Sequence, residues 1–240
     1  MDVELVSLLT LGFLMGVKHA IEPDHVIAVS TIASRSRNLW RSSLAGVFWG
    51  LGHTATLLVV GVVLLLLKQE IPDLWAMTLE FVVGIMLVAL GVNSLWQFRR
   101  RKVHAHAHVH AGMRHHHFHA HGEADGHEHK HVRAERFYWK SMFIGFVHGL
   151  AGSAAMFVLT MQTVTSAWAA LLYILIFGAG TVLGMLLFTT VLGVPFVLSQ
   201  AKPLLNRWLT IGTGVVSTGF GCFYMYRIGM TEGLFRLWLS

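Results

Sequence analysis

The chain has 240 residues, of which 55% are hydrophobic and only 12% charged, against about 25% charged in a soluble domain. Residues 141–201 contain no Asp, Glu, Lys or Arg, a run long enough for two membrane-crossing helices of about 20 residues each, so the chain reads as an integral membrane protein. The formal charge of +6 does not imply nucleic acid, because the cationic residues cluster beside hydrophobic segments, where they set topology.

Cys222 stands alone, which excludes an intrachain disulfide and a thiol relay built on a cysteine pair. The N-terminus, Met1-Asp2-Val3-Glu4, is acidic and lacks the basic region of a signal peptide, so the first hydrophobic segment is expected to stay in the mature protein.

Six hydrophobic segments follow, over 5–33, 44–67, 74–98, 138–162, 168–194 and 208–226. The first is interrupted. Leu5 to Val17 is apolar, Lys18 to His25 is polar, and Val26 to Ala33 is apolar again. Pro23 removes a backbone donor and disfavours helix at Glu22, so the spacing predicts a broken helix. Such breaks are tolerated at membrane depth where they line a cavity or are buried in protein.

The break carries the string His19-Ala20-Ile21-Glu22-Pro23-Asp24-His25. Imidazole and carboxylate are expensive in a bilayer and mark a path or a site there. Two imidazoles and a carboxylate this close suit a borderline divalent ion such as nickel, cobalt or zinc. A kink whose polar groups only satisfy freed backbone explains one such residue, but explains three poorly. Asp24 binds the ion directly in this reading, or orients an imidazole. Lys18 and Glu22 flank the string; they neutralise each other, carry protons during transport, or form a snorkelling interfacial pair.

His53 lies in Gly50-Leu51-Gly52-His53-Thr54, in the middle of the second segment. A lone helical histidine is more often packed or hydrogen-bonded than ligating, but beside the first string it becomes a ligand candidate. Glu80, near the outer end of the third segment, reads as interfacial.

Residues 99–137 form a loop with a different composition. Within it His104, His106, His108 and His110 alternate with small residues, His115, His116, His117, His119 and His121 follow, and His127, His129 and His131 close the tract. It shows no apolar periodicity and is expected to be disordered without metal. Its composition reads as metal-binding and metal-buffering; the bland alternative is a solvated linker. An expression tag does not fit an internal, irregular tract carrying Glu123, Asp125 and Glu128.

The fourth segment contains Phe146-Val147-His148-Gly149. His148 reads either as a further ligand or as a structural residue of a closely packed helix. The Met and Phe residues scattered over the segments read as packing or lipid-facing rather than as copper ligands.

Orientation follows the Lys/Arg bias. Fourteen of these residues lie in or beside the first, third and fifth loops, and three (Lys68, Arg227 and Arg236) lie on the opposite side. Both termini are therefore expected outside, with the histidine-rich loop in the cytoplasm. The halves also resemble each other. Gly12-Phe13-Leu14-Met15-Gly16 matches Gly145-Phe146-Val147-His148-Gly149, Gly50-Leu51-Gly52 matches Gly178-Ala179-Gly180, and the Gly84/Gly91 spacing matches Gly214/Gly221. Three spans per copy force opposite orientations. The expected fold is an all-α polytopic membrane protein of six transmembrane helices in a 3+3 inverted repeat, with its site at the repeat interface. The units are 1–98, the loop 99–137, and 138–240.

The string resembles the signature of the nickel/cobalt transporter (NiCoT) family, and Leu51-Gly52-His53-Thr54 resembles that family's second motif. Chain length and the Glu22-Pro23 pair are most similar to its UreH-like branch, nickel permeases associated with urease. The histidine-rich loop is similar to that of RcnA-type nickel and cobalt exporters. Two features depart from the family pattern. Typical members have more spans, with the string in the second, and read Asp-Ala where this chain has Glu22-Pro23. The resemblance implies His19, Asp24, His25 and His53 in metal-recognition positions, and Ni²⁺ or Co²⁺ as transported substrate with no permanent cofactor. It also implies cytoplasmic nickel-handling or urease-maturation proteins as partners.

Together these readings give a secondary transporter of the cytoplasmic membrane rather than an enzyme. No Gly-x4-Gly-Lys-Ser/Thr sequence is present, which argues against a built-in ATPase. Uptake is favoured by a negative cell interior. The alternatives are a nickel/cobalt efflux permease, and a membrane-anchored metal sensor or chaperone that works through the histidine-rich loop.

Overall fold

The computed structural model describes residues 3–36, 38–67, 71–100, 104–110, 113–119, 135–151 and 166–239. The chain starts with α1 (Val3–His19), turns, and continues as α2 (Pro23–Ala33). Next come α3 (Leu39–Leu67) and α4 (Asp73–Arg100). After the strands β1 (His104–His110) and β2 (Met113–His119), residues 135–151 form α5. Then follow α6 (Ala167–Leu198), α7 (Pro203–Tyr226) and the short α8 (Leu234–Leu239).

Among the described residues α3, α4 and α6 are each long and apolar enough to cross a membrane, and α1 with α2 makes a fourth candidate, bent by 56°. The tryptophans fit a bilayer. Trp40, Trp75, Trp96, Trp139, Trp168 and Trp208 all lie near helix ends with exposed side chains, where amphipathic rings sit at headgroup level. Leu14, Val59, Leu66, Leu187 and Val191 are exposed along the helix faces between them, as expected where the solvent is lipid.

Helix ends differ from expectation where caps or prolines decide them. The second segment starts at Leu39 rather than near 44, because the Asn38 side chain accepts the Trp40 N–H at 2.9 Å and its carbonyl accepts the Ser42 N–H. α7 starts at Pro203, whose fixed φ and absent N–H suit a first helical turn. α6 runs past Pro195 to Leu198, since one proline costs a membrane helix only one internal bond that neighbours can offset. The latter part of the 138–162 segment lies outside the described residues.

Two strands lie within the histidine-rich loop. β1 and β2 pair antiparallel, with His104 opposite His119, His106 opposite His117 and His108 opposite His115. The His-Ala alternation of β1 has the period of two that a strand requires. His121, His127, His129 and His131 lie outside the described residues.

α6 is the centre of the assembly, packed along both α1 and α3, while α4 pairs with α7. The short α2 reaches α6, α7, α4 and α3. Glycines permit these contacts. A Cβ on Gly16 would strike the Phe177 carbonyl, one on Gly180 the Phe13 carbonyl, and one on Gly52 the Met142 carbonyl. Hydroxyls add interhelical bonds of the kind that hold membrane helices together. Thr56 donates to the Phe146 carbonyl at 2.9 Å, Ser217 to the Leu87 carbonyl at 2.8 Å, and Thr181 to the Gly16 carbonyl at 3.3 Å.

Candidate metal centre

The break between α1 and α2 builds the site. Ile21 N–H bonds the Lys18 carbonyl and Glu22 N–H bonds the His19 carbonyl, both at 3.1 Å, so α1 tightens over its last turn. Glu22 is then extended (φ −62, ψ 148), as a residue before proline must be. Pro23 opens α2, and Val26 N–H resumes helical bonding to the Glu22 carbonyl. His19 thus ends one helix while Asp24 and His25 occupy the first turn of the next.

The α3 and α5 helices supply the rest. His53 sits mid-helix and fully buried, with its backbone against Gly149 of α5. His148, also buried, precedes that glycine. The close approach at Gly149 brings the two histidine-bearing helices together, and their ring centroids lie 6.0 Å apart.

The donor atoms converge. His19 Nε2 and His53 Nε2 are 3.1 Å apart. Two nitrogens on one ion at about 2.05 Å are separated by about 2.9 Å at a right angle and about 3.4 Å in a tetrahedron, so the observed spacing fits a shared cation. His19 Nδ1 meets Glu22 Oε2 at 2.8 Å. A carboxylate on that nitrogen keeps its proton there and turns the Nε2 lone pair toward the centre. Asp24 accepts from two imidazoles, His25 Nδ1 at 3.2 Å and His148 Nε2 at 2.9 Å. Two triads emerge, His19–His25–His53 and Asp24–His25–His148, each with donor atoms within 4.8 Å of one another. The Trp49 ring lies 5.6 Å from His148 and the Phe177 ring 5.5 Å from His19, giving the site aromatic walls on two sides.

Three of the cluster's buried ring nitrogens lack a hydrogen-bond partner. His25 Nε2, His53 Nδ1 and His148 Nδ1 make no hydrogen bond, whereas buried polar atoms are normally paired. Neutral imidazole nitrogens held bare in this way are what a soft-to-borderline cation would take up.

The structure therefore brings together His19, Asp24, His25, His53 and His148. Glu22 Oε2 lies against His19 Nδ1, and the Lys18 side chain is exposed. Glu80 stays outside the cluster, with Tyr224 donating to it at 3.5 Å. Met15 packs in an apolar cluster with Tyr173, Ile174 and Phe177. The walls Trp49 and Phe177 and the backing glycine Gly149 were not singled out as site residues in the sequence; the Gly-x-x-x-Gly spacing of Gly145 and Gly149 was the signal for the last.

Comparison with known proteins agrees with this chemistry. The NicO family profile, described as "High-affinity nickel-transport protein", matches residues 5–219. The chain is 53% identical over 238 residues to "Urease accessory protein UreH" of Bacillus sp. (strain TB-90), covering 99% of both chains. It is 26% identical over 216 residues to "Chloroplast protein FOR GROWTH AND FERTILITY 1" of Arabidopsis thaliana, covering 88% of this chain and 56% of that one. No solved structure matches. The chain belongs to the NicO family of high-affinity nickel-transport proteins, and is an integral membrane transporter rather than an enzyme.

Proposed function

We propose that this protein is a secondary transporter that carries Ni²⁺, or Co²⁺, inward across the cytoplasmic membrane through the histidine cluster at the broken first helix. The observation that carries the reading is the convergence of three imidazoles, His19, His25 and His53, from three helices, with donor atoms within 4.8 Å of one another. The ion exchanges its water for these nitrogens, and Asp24 beside them offsets its charge. The driving force is the membrane potential, about 4.6 kcal/mol per 100 mV for a divalent cation. The histidine-rich tract collects the ion on the cytoplasmic side.

The proposed architecture is six spans in two inverted units, with both termini outside. Its support is a set of contacts that maps onto itself when the halves are exchanged. Gly52 meets Phe146 as Gly180 meets Phe13, Gly149 meets His53 as Gly16 meets Thr181, and Gly84 meets Gly221 as Gly91 meets Gly214. A pseudo-twofold axis would produce this pairing, and rocking of the two units about it would expose the site alternately to each side. An impermeant thiol reagent tests the orientation: with Cys222→Ser as background, Asp125→Cys should label only in inside-out vesicles. Labelling in right-side-out vesicles would reverse the topology.

The transport test is radiolabelled nickel flux into proteoliposomes under an inside-negative potential. Wild-type flux that disappears in His19→Ala/His25→Ala supports the site, and flux unchanged in that variant refutes it.

A further inference from the structure

The cluster holds more donors than one ion needs, and the donors divide. One triad is all imidazole and comes from α1, α2 and α3. The other, Asp24–His25–His148, contains a carboxylate and comes from α2 and α5. His25 is common to both. We propose, resting on the transport reading above, that these are two successive cation subsites. The ion passes between them by changing the nitrogen it occupies on His25.

Three observations carry this. The first is the chemistry of the shared ligand. His25 turns Nδ1 to Asp24 at 3.2 Å and leaves Nε2 bare and buried. A neutral imidazole has one lone pair, so His25 serves one subsite at a time and the two cannot fill together. When the ion sits at the imidazole triad, the His25 proton is on Nδ1, facing Asp24. When it moves to the second triad, Nδ1 becomes the donor and the proton resides on Nε2. The hand-over is a tautomer change with no net gain or loss of protons.

The second is position. Each triad has one partly exposed member, His19 at 14% and Asp24 at 19%, while the shared His25 is only 1% exposed. Each triad therefore has its own edge toward the surroundings, and the buried His25 lies between them. The carboxylate of Asp24 supplies the charge that draws a divalent cation from the imidazole triad to the second one.

The third is His148 itself. A histidine that only anchored α5 would satisfy both ring nitrogens at this depth. His148 aims Nε2 at Asp24 and leaves Nδ1 unpaired. Its ring centroid lies 4.0 Å from that of His25.

The test compares the full-length wild type with His19→Gln, His25→Gln and His148→Gln. Cobalt binding is titrated in detergent by its visible absorption, and radiolabelled nickel flux is followed in proteoliposomes. Ions held by the histidine-rich tract are common to every variant and cancel in the difference from wild type. His25→Gln should lose one cobalt ion relative to wild type. His19→Gln and His148→Gln should lose none, because the ion retreats to the intact triad, but each should show an altered spectrum and at least tenfold slower flux. A variant that keeps the ion is folded by that measure; one that loses it is compared with its Asn counterpart and by thermal melting. Wild-type flux in His148→Gln would overturn the second subsite. So would loss of the ion in a folded His148→Gln, which would mean one indivisible site, or loss of two ions in His25→Gln, which would mean simultaneous filling. Each of these leaves the transport reading standing. No wild-type flux, with no binding difference at His25→Gln, would sink the transport reading and the second subsite with it.

Discussion

His19 and His53 are 34 residues apart in the chain, yet their Nε2 atoms lie 3.1 Å apart. One ends a broken helix and the other sits in the middle of an unbroken one. Substituting either removes a donor from the same point, so the two should fail alike. His53→Gln is expected to slow nickel flux at least tenfold, with no additional loss in the double variant with His19→Gln, because residues that act as a unit are not additive. Initial rates in proteoliposomes check this. Additive losses would mean that the two histidines serve separate steps.

Glu22 acts through His19. Its Oε2 holds His19 Nδ1 at 2.8 Å, and outer carboxylates of this kind contribute about 10–100-fold in metal affinity. Glu22→Gln should therefore raise the nickel concentration for half-maximal flux by about that factor while leaving the maximal rate largely intact. A collapsed maximal rate with unchanged half-saturation would point instead to a proton-carrying role. Nickel dependence of the initial rate separates the two.

Much of this was legible in the sequence for identifiable reasons. Pro23 marks the break, because proline constrains the residue before it whatever the tertiary context. The His19–His25 string showed itself because polar residues are rare inside apolar segments. Other features depended on three-dimensional packing. His148 finds Asp24 across 124 residues of chain, and no local pattern announces that contact. Lys18 and His19 are adjacent, and only the tightened last turn of α1 decides that His19 takes the Glu22 carboxylate. The start of α3 was misplaced because Ser36 to Ser43 reads as polar loop, whereas Asn38 caps a helix there.

Pro23 also makes a prediction. Its ring holds Glu22 extended and separates α1 from α2 by a 56° bend. Proline costs a helix interior about 3 kcal/mol, so Pro23→Ala removes the local obstacle to a straight helix. Straightening would swing Asp24 and His25 away from His53. The variant should fold with melting at or above the wild-type temperature yet lose at least tenfold in nickel flux. Wild-type flux would show that packing of α2 against α6 and α7, rather than proline, holds the kink.

Glycine positions separate packing from local propensity. A Cβ on Gly16 would meet the backbone carbonyl of Phe177, and one on Gly149 would stand 2.7 Å from the His53 carbonyl oxygen, whereas one on Gly212 would meet nothing within 4 Å. Backbone cannot yield as a side-chain tip can, so α1 must move off α6, or α5 off α3. Gly16→Ala and Gly149→Ala should each destabilise by about 1–3 kcal/mol, the usual range for overpacking. Gly212→Ala lies in open space on α7 and should stabilise by up to about 1 kcal/mol through helix propensity. Thermal unfolding in detergent, followed by tryptophan fluorescence, ranks the three. Gly149→Ala should also weaken cobalt binding, since it displaces the backbone that carries His53. Gly16→Ala should affect the site less, because Gly16 lies nearly one turn before His19 and the close contact there is with α6 rather than with a ligand-bearing residue. Equal loss of binding in both would mean that the cluster is held by the helix bundle as a whole rather than by the contact between α3 and α5.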